Sequence, residues 1–353
     1  MTNELNIKTN TWVIAWLFTG CLLVFLMVFV GGITRLTGSG LSITKWDLIT
    51  GTVPPLNETD WNQQFDLYKQ SPQYQKTNYH FTLEDFKQIY WWEYIHRLIG
   101  RSIGIIFLIP FLFFYFKKML HAKLVKQLLF VFALGALQGL AGWLMVASGL
   151  IDNPRVSHYR LAIHLMLAFI TCAYIFHIAL QETYSQQKIK NDPSLNRKRQ
   201  WAVISFVVVF IQIVFGAFVA GLKAGYIYNT WPMMGEEWIA AAVTAGYKNY
   251  GLMAFFDLPS NVQFVHRTLA FVSLISISVL FSNLQKSSDQ KLKTASHFLL
   301  WITIIQIIAG ILTLLYSVPV WLGIAHQAIA FLLFMALIFI LHRLYINHSK
   351  SIT

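Results

Sequence analysis

Eleven histidines are present, and four of them recur at matched places when the chain is laid against itself. "EYIHRLIG" (93–100) aligns with "QFVHRTLA" (263–270), "QGLAG" (138–142) with "QIIAG" (306–310), and "LAIHLMLAF" (161–169) with "LGIAHQAIAF" (322–331) within one residue. His96 and His164 thereby pair with His266 and His326. Each lies near one end of an apolar run, and ionisable groups inside such runs are costly and mark function. Two imidazoles at one depth in a bundle of four helices suit axial ligation of haem iron. The expectation is one haem pocket per half. Zinc or a di-iron centre would need more Cys, Asp or Glu at that depth than the runs contain. The other histidines, His80, His121, His158, His177, His297, His342 and His348, have no counterpart and read as structural or solvated.

Arg follows the candidate ligand in both halves, at Arg97 and Arg267. A guanidinium there can make bidentate, charge-assisted bonds to haem propionates, and a snorkelling arginine is the plainer alternative. Arg101, one helical turn beyond Arg97, is a further propionate candidate. Three residues before the histidine the halves differ: Glu93 in the first, Gln263 in the second. A carboxylate one turn from His96 could act as a general base or stabilise developing positive charge. It could equally bridge to Arg97 or Arg101, or orient His96. The asymmetry places a reactive haem in the first half and an electron-transfer or structural haem in the second.

These residues need elements to hold them at one depth. The chain of 353 residues is 56% hydrophobic and 12% charged, too apolar for an ordinary soluble domain. It is expected to be an all-α polytopic membrane protein. Runs of about 20 residues or more, the length that crosses a bilayer, occur near 12–32, 96–116, 124–147, 160–181, 201–222, 264–284, 295–317 and 320–342. Eight transmembrane helices in two pseudo-symmetric four-helix bundles, residues 1–190 and 195–353, are predicted. Each half holds an even number of spans, so the repeats insert in the same sense. Of 27 Lys and Arg, Arg97, Arg101 and Arg267 sit at span ends. Another nine (Arg35, Lys45, Lys69, Lys76, Lys87, Arg155, Arg160, Lys223 and Lys248) are spread over one set of loops. The remaining fifteen fall in the other, shorter set, which is therefore cytoplasmic, with both termini. The net charge of +12 is thus topological, and nucleic acid is discarded as a partner. Cys21 and Cys172 lie within spans, which excludes an extramembrane disulfide.

Two outer loops are long, roughly 35–92 and 223–262. "TLEDFKQIYWW" (82–92) reads as a helix with Thr82 as N-cap and Asp85 approximating a capping box, ending on a Trp pair at the interface. Gln138, Gln212 and Gln306 are the main polar residues within spans and read as interhelical hydrogen bonding beside small residues.

"GGITRLTGSGLSITKWDLITGTVPPLN" (31–57), "WWEYIHRLIGR" (91–101) and "AGYIYNTWPMMGEEW" (224–238) closely resemble the haem A synthase family of proteobacteria and mitochondria, over nearly the whole chain. The resemblance implies oxidation of the C8 methyl group of haem O to a formyl group, giving haem A for cytochrome c oxidase, with water as the oxygen source. Carried over by position, it implies that His96 and His164 flank the substrate haem and that His266 and His326 ligate one resident haem b. Glu93 is then the carboxylate required for methyl oxidation. The glycines and hydroxyls of "GGITRLTGSG" (31–40) read as a tight, folded turn at the membrane exit, placed to lie against the substrate haem, although turn chemistry alone would give the same letters. The implied location is a bacterial inner membrane with the haem sites toward the outer side. Implied partners are the lipid bilayer, the cytochrome c oxidase assembly machinery and haem O synthase; the oligomeric state is left open. Some bacterial members carry a loop cysteine pair, which this chain lacks. The alternatives are a two-haem cytochrome b-type electron-transfer protein or quinol oxidoreductase, and a transporter built from two repeats.

Overall fold

A computed structural model describes residues 10–44, 50–150, 154–184 and 194–346. Lys8, Lys45, Lys188, Lys190 and Lys350, which entered the charge count, and His348 lie outside them. The described helices are α1 (Thr11–Leu36), α2 (Glu58–Lys69), α3 (Pro72–Lys76), α4 (Leu83–Phe116), α5 (Ala122–Ala147), α6 (His158–Thr183), α7 (Leu195–Gly221), α8 (Ala241–Tyr250), α9 (Ala254–Asp257), α10 (Pro259–Leu284), α11 (Gln290–Leu315) and α12 (Val320–Tyr345). Eight of them, α1, α4, α5, α6, α7, α10, α11 and α12, are long and apolar enough to cross a membrane. The chain is a multi-pass, all-α membrane protein, with no β-strand beyond one isolated bridge among the described residues.

The predicted helix over 82–92 and the span from 96 are one continuous element. Thr82 caps α4 with its hydroxyl accepting from Asp85 N at 3.3 Å, and the Asp85 carboxylate accepts in return from Thr82 N at 2.9 Å. Reciprocal satisfaction of these first-turn donors starts the helix ahead of the bilayer. No breaker separates the cap from the apolar run, so "WWEYIHRLIGR" lies mid-helix.

In the first half α1 packs against α4 and α6, and α5 against α6; in the second, α7 packs against α10 and α12, and α11 against α12 and α10. The largest buried cluster joins the halves, with Val28 of α1, Phe169 and Cys172 of α6, Ile213 of α7 and Phe331 and Phe334 of α12. Phe169 stacks edge-on to Phe331 at 4.9 Å between ring centres. Arg35, at the end of α1, donates to the carbonyls of Ala220 (2.8 Å) and Gly221 (3.3 Å), tying the halves at the same level. In the connection between α1 and α4, Phe65 and Tyr68 of α2 pack with Phe86 and Tyr90 of α4 in an aromatic core.

Candidate haem sites and the loops above them

Each of the four repeated histidines rests against a glycine on the spanning helix before its own. A Cβ added at Gly31 would meet His96 Cε1 at 3.0 Å, at Gly142 His164 Cε1 at 2.9 Å, at Gly216 His266 Cε1 at 3.2 Å, and at Gly310 His326 Cε1 at 2.8 Å. With no Cβ, glycine leaves room for the Cε1 edge of each imidazole to approach the neighbouring backbone. Each of the four histidines is half-buried, set deep in the protein without being fully enclosed. In each, Nδ1 is enclosed and lacks a hydrogen bond. His164, His266 and His326 are directed at the backbone of Gln138, Gln212 and Gln306, without reaching good hydrogen-bond geometry.

The structure therefore brings the expected pairs together. The rings of His266 and His326 have centres 6.4 Å apart and planes 80° apart. Two metal–nitrogen bonds of about 2 Å each, plus the distance from each nitrogen to its ring centre, require about 6 Å, so an iron fits between them. His326 Nε2 meets the Gln306 side-chain Nε2 at 3.3 Å, a contact that ligation replaces. His96 and His164 likewise lie within electrostatic reach of one another. These donors, all imidazole, suit a bis-histidine haem, and the enclosed bare Nδ1 atoms are the groups that a backbone carbonyl holds when the other nitrogen binds metal.

Glu93 is 2% exposed and fully engaged. Its Oε2 accepts from Ser42 N (2.7 Å), Ser42 Oγ (2.7 Å) and Ile43 N (2.9 Å), and its Oε1 from Arg97 Nη2 at 2.6 Å. Of the readings open in the sequence, the bridge to Arg97 is the one seen, with an added lock on the loop after α1. Gln263 occupies the matching place under the loop after α7, where its Nε2 donates to Tyr228 O at 3.2 Å. The acid-to-amide difference follows the backbone above it. Residues 42–43 present N–H groups, which need an acceptor; Tyr228 presents a carbonyl, which needs a donor.

The arginines expected to take propionates are also committed to loops. Arg97 Nη2 donates to Ile43 O (3.0 Å) and Arg101 Nη1 to Gly51 O (3.0 Å). Arg267 donates to Tyr228 O (2.8 Å), Thr230 O (2.9 Å) and Met233 O (3.1 Å), with Nε buried and bare. A guanidinium offers five donors, and carbonyls at the loop turns take them. "GGITRL" is the last part of α1, and only "TGSG" turns, with Gly38 at φ +70°.

Sequence reasoning missed the four glycines and Ser42. A signal was present: "QGLAG", "QIVFG" and "QIIAG" place Gln four residues before Gly on α5, α7 and α11. The three glutamines keep a buried, unpaired Oε1, so their amide oxygens are unmet acceptors beside the rings. Of the histidines read as structural, His177 and His342 meet across the halves, Nδ1 to Nδ1 at 3.3 Å, and His121 caps α5.

The family model for cytochrome oxidase assembly protein matches residues 14–338. The chain belongs to that family. It is 47% identical over 339 residues to a protein named Heme A synthase from Flavobacterium psychrophilum, covering 95% of this chain and 99% of the relative. A protein of the same name from Nitrosospira multiformis is 44% identical over 333 residues (93% and 92%), and one from Rickettsia felis 39% over 318 residues (90% and 94%).

Proposed function

We propose that this chain is a haem A synthase, oxidising the C8 methyl group of haem O to the formyl group of haem A. The observation that carries the reading is the fourfold repetition of a histidine seated on a glycine. It supplies one imidazole pair per half, and the family match supplies the reaction. Replacing methyl by formyl with water as oxygen donor releases four protons and four electrons. In this reading the residues 1–190 half would take the substrate and the 195–353 half a redox group that passes the four electrons singly to an external acceptor. His96 and His164 hold haem O by its iron. His266 and His326 hold one haem b, which supplies one-electron redox chemistry when bound.

Glu93 serves this site as an anion and a positioning residue. Its two oxygens together take four donors, three of them from residues 42–43, so the contacts support loop closure and stabilisation of positive charge beside it. Closing residues 39–44 onto α4 keeps bulk water from the histidine pair, and keeps the Arg97 charge next to it. Arg97, Arg101 and Arg267 hold the outer loops over the two sites; a propionate contact would have to be shared with, or exchanged for, the carbonyls they now meet. The sites lie toward the outer side of a bacterial inner membrane with both termini cytoplasmic, as the loop charges support. Haem O synthase upstream, the oxidase assembly machinery downstream and self-association complete the set of partners.

The test is pigment analysis. Membranes of a strain lacking the gene accumulate haem O and contain no haem A, and the gene in trans restores haem A. In the purified protein, His266→Ala or His326→Ala removes the low-spin haem b signal of the reduced-minus-oxidised spectrum, while His96→Ala retains it. Equal loss from all of these variants would refute the division between halves. A two-haem electron carrier predicts no change in haem O.

A further inference from the structure

Arg35 stands where the two halves meet, and the repeat shows how. The helices α1 and α7 end at matched residues, Leu36 and Gly221. Their histidine seats, Gly31 and Gly216, match in the same register, as do the left-handed residues beyond them, Gly38 (φ +70°) and Lys223 (φ +55°). On that register the counterpart of Arg35 is Ala220. Ala220 O is the atom to which Arg35 Nη2 donates at 2.8 Å, with Gly221 O beside it at 3.3 Å. The side chain thus joins equivalent points of the two halves. One turn before Arg35 on the same face of α1 is Gly31, whose added Cβ would meet His96 Cε1 at 3.0 Å; one turn before Ala220 is Gly216, whose added Cβ would meet His266 Cε1 at 3.2 Å. The guanidinium lies across the ends of both helices, one turn beyond the histidine seat on each.

What this half-buried cation lacks is an anion. Among the described residues, no carboxylate lies within ion-pair distance of it, and its hydrogen bonds are the two to α7. Nη2 makes both, Nε is buried and bare, and Nη1 makes none, so three of the five donors have no acceptor in the protein. The arginines nearest the ligand candidates are served differently. Arg97 has Glu93, and Arg267, whose Nε is also bare, has loop carbonyls on both Nη1 and Nη2. The negative ends of α1 and α7 hold the Arg35 charge in place, yet they take none of the three remaining donors. Nor does the fold require a cap at this point, since Ala220 offers no donor in return and the matched end of α1 does without one.

We propose that Arg35 is a carboxylate anchor shared by the two sites, taking one propionate from the porphyrin of the His96/His164 pair and one from that of the His266/His326 pair. This rests on the haem reading of those pairs. An iron porphyrin carries two carboxylates on one edge of its ring, and a partly desolvated guanidinium bonds a carboxylate more strongly than a neutral donor does. The α7 carbonyls hold the guanidinium before any ligand arrives, so little side-chain freedom is left to lose on binding. Arg35 is then a binding residue common to substrate and redox group, and it fixes the two rings relative to one another. Its counterpart can be alanine because one guanidinium serves both halves.

The test uses the full-length protein and two ligands, protohaem and its dimethyl ester, which keeps the ring and iron but has both carboxylates blocked. Each is titrated by its absorbance into His96→Ala and into His266→Ala, which isolate the second-half and first-half sites, with and without Arg35→Gln. Glutamine keeps an N–H donor for the α7 carbonyls and drops the charge. Protohaem affinity is expected to fall about tenfold or more in both backgrounds, the worth of one charge-assisted hydrogen bond, while ester affinity stays within about twofold. Equal loss of both ligands overturns the proposal, since Arg35 then only holds the halves together. No loss of either also overturns it, and loss in one background alone overturns the sharing. Should Arg35→Gln fail to fold, Arg35→Lys takes its place: it keeps the charge on one nitrogen without the planar set of donors. It is expected to lower the preference for protohaem over the ester, and an unchanged preference overturns the proposal. If the natural protein takes up neither ligand, the haem reading fails; if it binds both and Arg35→Gln changes neither, only the Arg35 assignment fails.

Discussion

Gly310→Ala is the sharpest perturbation, because one methyl group separates a seated from a displaced ligand. The new Cβ would lie 2.8 Å from His326 Cε1, 3.4 Å from Nδ1 and 3.6 Å from Nε2. Carbon atoms rest at about 3.5–4.0 Å, so the ring must retreat by about 0.7 Å or α11 and α12 must part. Ligand sites tolerate about 0.5 Å of error, and forcing a methyl into a packed site costs about 1–3 kcal/mol. At about 1.4 kcal/mol per factor of ten, haem b retention should drop about tenfold to a hundredfold. Alanine is also the better helix former by about 1 kcal/mol, which offsets part of the clash, so the protein without haem should lose at most about 2 kcal/mol of stability. The assay is haem b per protein by reduced-minus-oxidised absorbance after purification, with Gly20→Ala, whose Cβ meets only ordinary contacts at 3.8 Å or more, as the control. Gly142→Ala, at 2.9 Å from His164, should keep haem b and lose haem A formation. Full haem b with an unaltered spectrum in Gly310→Ala, or haem b loss in Gly142→Ala alone, would refute the seating of histidine on glycine as the basis of the two sites.

Glu93→Gln installs the second-half residue under a loop that offers N–H groups. It removes the charge from a pair whose side chains are 3% and 10% exposed. Leaving Arg97 without its anion costs on the order of 3 kcal/mol, and haem A yield per cell should fall more than tenfold while haem b content is kept; undiminished haem A would show that neither the anion nor the loop lock matters. The connection between α1 and α4 has its own pH limit. Burial, the largest cause, pushes the Tyr68 phenol up to about 12, against a smaller opposing effect of its hydrogen bond from Asn78. A folded value above the ordinary 10 means that stability is intact below pH 10 and is lost as pH rises from 10 through 12. Protease cleavage between α2 and α3 should therefore accelerate over that window, and Tyr68→Phe should flatten the rise; a pH-independent rate counts against burial of that hydroxyl.

Much of the fold was legible because bilayer physics is one-dimensional. Eight apolar stretches, their end residues and the Thr82 and Asp85 cap are local properties, and the structure extends most of the expected spans by a few residues at their ends. The histidine pairs were legible through the repeat, since equal sequence in equal spans must occupy equal depth. What could not be read was who faces whom. Glu93 against Gln263 looked like chemistry against its absence, and the structure makes it first a matter of loop polarity, decided by whether residues 42–43 or Tyr228 lie above the helix. Arg97, Arg101 and Arg267 looked free for carboxylates because the loop carbonyls that take their donors are up to 54 residues away in sequence.

Sequence by itself determined the number of spanning helices, the four imidazoles and the asymmetry between halves, because hydrophobic length and internal repetition need no knowledge of neighbours. Only the tertiary structure decided that glycines 31, 142, 216 and 310 are the seats of those imidazoles, that Glu93 holds a loop, and that Arg35 reaches the end of α7. Each of these depends on which backbone lies within 4 Å of which side chain, a distance set by helix packing between segments remote in the chain.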